Sequence, residues 1–284
     1  MLPRKVSSLL GHRHVEMAVL CLGSLLRASA EPLTLRLHDD GSLTAEDRER
    51  LAAGLGAPEI VSRAEADERV AEILKSHPAL AAFRRANPLA LKLIDAVLFA
   101  GEELAYCDTD VLFLRPFTGL FPPGAGAAFM ADHQNAYSLR SWHLLLHRRL
   151  RLPRHVNSGL IHFPAAAWDP DLLEHYLSRP EFAFAPVWVE QTAWALLGER
   201  AGCRLFDPAR IRIPEAAERP DQERETETVA LHFVGPVRER LAGWATQIAP
   251  EGSRPVEIGR VAAGRCGVVD LAVTEIRRRL GRLR

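Results

Sequence analysis

Asp108 and Asp110 stand two apart in YCDTDVLFLRPF, residues 106–117, between two apolar runs. Neighbouring carboxylates repel, and such groups are rarely enclosed unless something pairs with them. A bound cation is the obvious partner, since two hard oxygen ligands suit Mg2+ or Mn2+ carrying phosphates. The spacing alone is weak. Asp169 and Asp171 repeat it around Pro170, but there a helix opens, and aspartates answer its exposed amides and dipole. A solvated turn would also account for Asp108 and Asp110 taken without their neighbours. Context separates the two copies. Apolar LAYC leads into the first pair and VLFL leads away, and ligands of open α/β sheets bind at the carboxyl ends of strands.

Three distant segments could complete such a site. TVALHFVGPVR, residues 228–238, puts His232 at the end of an apolar strand, then Gly235, then Arg238. An imidazole there can complete an octahedral set begun by two carboxylates. Gly235 would let the backbone approach a phosphate, and Arg238 could hold that phosphate by its fork. HVNSGLIHF, residues 155–163, breaks a strand with Asn157, Ser158 and Gly159. Either a bulge or the close approach of a ligand explains small polar groups at such a place. WVEQTAW, residues 188–194, sets Glu190 and Gln191 on an otherwise apolar helix. Exposed helix polarity would explain them, and so would contact with sugar hydroxyls. His143 and His147 lie four apart in SWHLLLHRRL. With no glutamate beside them, they read as a surface face between helices rather than a metal pair. Asp39 and Asp40 before Gly41 read as turn residues.

The elements around these residues alternate. KVSSLL, LTLRLH, PEIVS and LAYCD read as strands. EMAVLCLGSLL, TAEDRERLAAGL, EADERVAEILKS and PLALKLIDAVLFA read as helices. The second of these is capped by Thr44 with a Glu near its third place, and the last is opened by Pro88. Strand and helix in alternation imply a mostly parallel sheet flanked by helices, the α/β class. After Pro116 the pattern loosens through the turn-rich GLFPPGAGAAF, then gives HVNSGLIHF and TVALHFVG as strands and DPDLLEHYLS and WVEQTAWALLGE as helices. No repeat or compositional break appears. We expect one domain over residues 1–250, with a nucleotide-binding half at 1–115 and an acceptor half at 116–250. A helical tail follows at 251–284.

The 284 residues carry 36 basic and 36 acidic groups, so nothing global points to nucleic acid as a partner. Cys21, Cys107, Cys203 and Cys266 are scattered without a CxxC pair, which suits a reducing cytoplasm. MAVLCLGSLLRASA has the look of a signal peptide, but Glu16 and Arg27 flank its apolar core, and a buried helix fits it better. No apolar run reaches the about 18 residues of a membrane span. The basic end, IRRRLGRLR, reads as a solvated helix end, with weak contact to an anionic membrane surface as the alternative.

Two enzyme classes place a DxD after a hydrophobic strand. Haloacid-dehalogenase-like phosphatases would use Asp108 as nucleophile. Leu112 occupies their Thr/Val place, however, and no lysine follows Lys92. The second class is metal-dependent nucleotide-sugar transfer, and a non-catalytic nucleotide-sugar-binding protein would share its motifs. YCDTDVLFLRPF, VNSGLIHFP, VEQTAW and LHFVGPVR occur in the order, and near the spacing, found in the retaining glycosyltransferases of family eight and their relatives. The chain resembles that group from about Lys92 to Arg238. The resemblance implies a GT-A fold and a hexosyl-type transfer from a nucleotide-diphosphate-sugar to a glycan, lipid or protein acceptor. It implies that Asp108, Asp110 and His232 hold Mn2+ or Mg2+, and that Asn157, Ser158 and Gly159 line the donor sugar. It puts Glu190 and Gln191 at the donor–acceptor junction, Gly235 and Arg238 on the diphosphate, and Lys92 beside the first aspartate. The chain departs from the group at three places. GHRH (Gly11 to His14) stands where an acid usually meets the nucleobase, Glu190 replaces an aspartate, and Arg238 replaces a lysine.

Overall fold

The first strand, β1 (Arg4–Leu10), pairs in parallel with β2 (Leu33–Asp39), from Arg4 opposite Leu33 to Leu10 opposite Asp39. The crossover between them is α1 (Val15–Ala28), the signal-like segment, which buries Cys21, Leu22 and Leu25 completely in the core. The turn after β2 is built as expected. Asp39 accepts from the amides of Gly41 and Leu43, and Gly41 takes the left-handed φ of +100° that this turn requires. α2 (Ala45–Leu55) then opens on a reciprocal capping box between Thr44 and Asp47. The capping acid is therefore Asp47 rather than a glutamate, because the helix starts at Ala45 and its third place falls there. β3 (Glu59–Val61) extends the sheet beyond β2.

The computed structural model describes residues 3–147, 149–215, 218–220, 227–249 and 252–282. Helices α3 (Arg63–Lys75), α4 (Pro78–Ala86), α5 (Ala90–Leu93) and α6 (Asp95–Phe99) follow β3. The single helix expected from Pro88 is thus two short ones, separated at Ile94 with φ −109° and ψ −64°. Asp95, at the start of α6, is buried and takes both carboxylate bonds from Arg84 of α4, at 2.8 and 2.7 Å. α4 itself escaped the sequence reading, although Pro78 in its first turn is an ordinary helix-opening signal.

β4 (Glu103–Cys107) lies on the other side of β1, again parallel. β5 (Val111–Phe113) leaves the sheet, β6 (Phe117–Thr118) follows, and β7 (Ala128–Ala131) returns to it. After α7 (Ser141–Leu146), β8 (Val156–Pro164) runs antiparallel between β4 and β7. Helices α8 (Pro170–Leu177) and α9 (Val189–Arg200) precede β9 (Arg204–Phe206), β10 (Ile211–Arg212) and β11 (Ala230–His232). The chain then runs through α10 (Leu241–Trp244), β12 (Val256–Glu257), β13 (Arg260–Ala262) and α11 (Val268–Arg282). Leu283 and Arg284, the end of the basic run, lie outside the described residues.

The large sheet has the order β13-β9-β7-β8-β4-β1-β2-β3. β8 and β13 pair antiparallel and the other neighbours pair in parallel, which gives the mostly parallel α/β sheet that the strand–helix alternation implies. A second sheet, β10-β11-β5, sits where β5 has peeled away. Apolar residues pack both faces of the large sheet. One layer is built on Leu93, Tyr106, Phe129 and Trp194, the other on Val6, Leu22, Leu37 and Phe113.

Candidate functional site

Asp108, Thr109 and Asp110 connect β4 to β5, so they form the passage from the large sheet to the small one. Backbone contacts hold both ends: Asp108 donates its amide to Gly159 O at 2.8 Å, and Asp110 O accepts from Phe233 N at 2.8 Å. β11 runs antiparallel to β5 with His232 opposite Val111, one residue past the pair. That register brings the imidazole to the carboxylates. His232 Nε2 lies 3.1 Å from Asp110 Oδ1 and 3.9 Å from Asp108 Oδ2. One ligand atom from each of the three falls within 4.8 Å of the others, the one such group among the described residues. The second DxD does otherwise. Asp169 caps α8 through Leu172 N, and Asp171 bonds His77.

A polar chain continues inward from Asp108. Lys92 of α5 lies 3.0 and 3.1 Å from its two oxygens, and Tyr106 donates to Oδ1 at 2.9 Å. Lys92 also donates to Ser158 Oγ at 3.1 Å, and Ser158 donates to Glu190 Oε2 at 3.0 Å. The lysine is 2% exposed and Glu190 3%. Glu190 and Gln191 are therefore interior residues, not the exposed polarity that an apolar helix would carry on its wet side. The physical reason is that α9 is enclosed on all sides from Val189 to Gly198. Gln191 donates Nε2 to Ala136 O at 2.9 Å, and its Oε1 takes no hydrogen bond among the described residues.

The break in β8 is a bulge that serves the site. Phe129 pairs with Ile161, but Met130 pairs with Asn157, so Ser158, Gly159 and Leu160 have no partner on β7. Gly159 is there for space: a Cβ would stand 2.4 Å from His232 Cε1. Asn157 Oδ1 meets His232 Nδ1 at 3.1 Å, and this contact orients the ring so that Nε2 faces the aspartates. Gly235 adopts φ +61° just after β11, with open space around it. Arg238 reaches back to Asp110 Oδ2 at 2.6 Å.

Charge balance follows from these contacts. Burial alone would raise the Asp110 carboxyl, but the charges and hydrogen bonds of His232 and Arg238 hold it well below the usual carboxylate range. Burial would lower His232 and Lys92, and the aspartates raise both instead, with Glu190 adding to the effect on Lys92. Glu190 shows the opposite balance. Burial lifts its carboxyl to about 6, against the pull of Lys92. The cluster thus offers hard or borderline ligand atoms and a deprotonated Asp110, and a bound cation would displace the proton that the aspartates draw onto His232. It fits a divalent cation with oxygen-rich ligation.

Two further residues belong here. Asp132, one residue after β7, is almost enclosed and accepts from Asn157 Nδ2 at 3.1 Å. Its signal was present, an acid ending the apolar run GAAFMA, as Asp108 ends LAYC. Tyr106 had no such signal, because its hydroxyl function is hidden inside a strand. The surface placement expected of His143 and His147 is corrected for the first of them. His143 is fully buried against Trp142 and Phe182, and accepts from Arg140 N at 2.9 Å.

Solved glycosyltransferases share this architecture. The apo form of mouse xyloside xylosyltransferase 1 aligns with 91% of this chain and 98% of its own, at TM-score 0.52 and 11% identity. The galactosyltransferase LgtC, in complex with donor and acceptor sugar analogs, aligns with 87% of this chain and 98% of its own, at TM-score 0.50 and 13% identity. The apo bifunctional glycosyltransferase WbbM aligns with 87% of this chain and 50% of its own, at TM-score 0.56 and 10% identity. The chain therefore has a GT-A-type fold, with an Asp–Asp–His cluster where its eight-stranded and three-stranded sheets meet. Identities this low speak to the fold alone. No protein-family model matches the chain, and no curated protein matches its sequence.

Proposed function

We propose that the protein is a metal-dependent glycosyltransferase that moves a hexosyl group from a nucleotide-diphosphate-sugar to an acceptor hydroxyl with retention. The observation that carries this reading is the convergence of Asp108, Asp110 and His232 at the junction of the eight-stranded and three-stranded sheets. These three would hold Mn2+ or Mg2+, which when bound supplies Lewis-acid stabilisation of charge on the leaving diphosphate. Arg238 and the Gly235 turn bind the diphosphate, the guanidinium by charge-assisted hydrogen bonds. Asn157, Ser158 and Gly159 line the donor sugar, and Asp132 fixes the amide of Asn157. Lys92 positions Asp108 and adds positive charge beneath the site.

Retention is supported by what Glu190 is doing. An inverting enzyme needs a base that reaches the acceptor hydroxyl, but Glu190 is buried and engaged with Ser158 and Lys92. It positions Ser158 rather than touching the acceptor. In the retaining route the acceptor attacks from the face the diphosphate leaves, and a diphosphate oxygen takes its proton. Gln191, tethered through Nε2, keeps Oε1 to support positive charge developing on the sugar. Asp40 is the candidate for the nucleobase acid missing after β1. Asp40 sits over Gly11, where a Cβ would stand 2.2 Å from Asp40 Oδ2.

The test is donor hydrolysis with Mn2+ across a panel of nucleotide sugars, comparing the protein with Asp110→Ala. At least one donor should turn over, and the variant should lose that turnover. Equal turnover by the variant would sink the reading. Metal-dependent nucleotide diphosphate binding without turnover would make the protein a binding module. Phosphate release from simple esters would favour the Asp108 nucleophile.

A further inference from the structure

The C-terminal helix keeps an aliphatic stripe on its outer side. Val269, Val273, Ile276 and Leu280 of α11 are 74%, 41%, 55% and 58% exposed. At helical pitch these four fall within an arc of about 60° and form one aliphatic stripe. The opposite side of the helix faces the protein. Leu271 and Thr274 are buried there, and Arg278 stacks over Trp188 at 4.8 Å and Phe184 at 5.6 Å. The helix α7, against which α11 packs, exposes Trp142, Leu145 and Leu146 as well.

The charges are distributed just as unevenly. Both acids of α11 are engaged by the protein: Asp270 accepts from Arg154 at 2.7 Å and from Gly267 N at 2.8 Å, and Glu275 accepts from Ser141 N at 2.5 Å. Exposed Arg277 and Arg279 border the aliphatic stripe on its two sides. An outward apolar stripe with cations at both margins is the arrangement of a helix lying in a membrane interface. The aliphatic side chains enter the acyl boundary and the arginines meet the headgroups. A second copy of this chain fits less well, because two-fold pairing of the stripes would set arginine margins near arginine margins.

We propose that α11 docks the protein on an anionic lipid surface through Val269, Val273, Ile276 and Leu280, with Arg277 and Arg279 on the headgroups. This placement does not depend on the glycosyl-transfer reading. The experiment is flotation of the full chain with vesicles of phosphatidylcholine, with and without phosphatidylglycerol. Light scattering of the free protein runs alongside. Binding to the anionic vesicles alone is expected. Ile276→Ser with Leu280→Ser should weaken it about tenfold or more, and Arg277→Gln with Arg279→Gln should weaken it and remove its salt dependence. All four positions are exposed, so near-ultraviolet circular dichroism should match the parent and exclude misfolding. Absence of binding, equal binding to neutral vesicles, or unchanged binding by the Ile276/Leu280 variant overturns the proposal. A dimer in solution that the same variant dissociates also overturns it, and assigns the stripe to a second copy.

Discussion

Lys92→Met tests the electrostatic core of the site. The substitution keeps most of the side-chain length but removes a cation that is paired with both Asp108 and Glu190. Breaking a buried ion pair from one side typically costs about 3–5 kcal/mol, because the remaining charge is left without compensation. Here the cost must depend on pH. A buried carboxylate cannot cost more than its own protonation, which grows by about 1.4 kcal/mol per pH unit above the ordinary carboxyl value. In the parent, Glu190 titrates at about 6 rather than 4.5 with Lys92 holding it down, so the variant carboxyl moves higher still. Near pH 5 parent and variant both hold Glu190 mostly protonated in the folded state, and its titration contributes almost nothing to their difference. By pH 8 the parent carboxylate is ionised, and the variant lies further behind by up to about 3 kcal/mol. Urea unfolding followed by tryptophan fluorescence at pH 5 and pH 8 reads this difference. Glu190→Gln added to Lys92→Met should flatten it, as a coupled pair requires. A gap between parent and Lys92→Met that is equal at the two pH values, or that narrows as pH rises, would refute Lys92 as the counter-charge of Glu190.

Glu190→Gln alone has the complementary behaviour. The raised carboxyl contributes stability that is complete below pH 4.5 and is lost as pH rises through about 6, so the parent gives up about 2 kcal/mol over that window. The variant lacks this slope, and its melting temperature relative to the parent should be higher at pH 7.5 than at pH 4.5. Gly159→Ala drives a methyl group into the His232 ring. It should cost about 1–3 kcal/mol in thermal or urea unfolding, and it should weaken Mn2+ binding in calorimetry with a nucleotide diphosphate present. Asp132→Ala frees the amide of Asn157; calorimetry with intact nucleotide sugar should show weaker binding, while affinity for the nucleotide diphosphate alone stays within about twofold. Asp40→Asn should reduce the preference between uracil and guanine donors in competition binding, and unchanged preference would remove Asp40 from the nucleobase site.

Sequence carries the candidate ligand residues more clearly than it carries orientation. Asp108, Asp110 and His232 were legible because each ends or interrupts an apolar strand, where an acid or imidazole is costly to desolvate unless something binds it. Gly159 was legible as a break, although only the 2.4 Å approach to His232 shows which neighbour demands it. Glu190 and α11 share one ambiguity from opposite sides. A polar pair on an apolar helix reads as its wet face, yet α9 is enclosed and the pair points inward. The basic end of α11 reads as a solvated helix end, yet an aliphatic stripe also points outward there, and Leu271, Thr274 and Arg278 take the protein side. Periodicity shows that a helix has two unlike faces, and neighbouring elements decide which one is covered. For α9 those neighbours include β8 and α5, and they account for a charged network inside the protein. For α11 the neighbours include α7 and the segment that carries Phe184 and Trp188, and the aliphatic face they leave open is the reason to test an occupant from outside the fold.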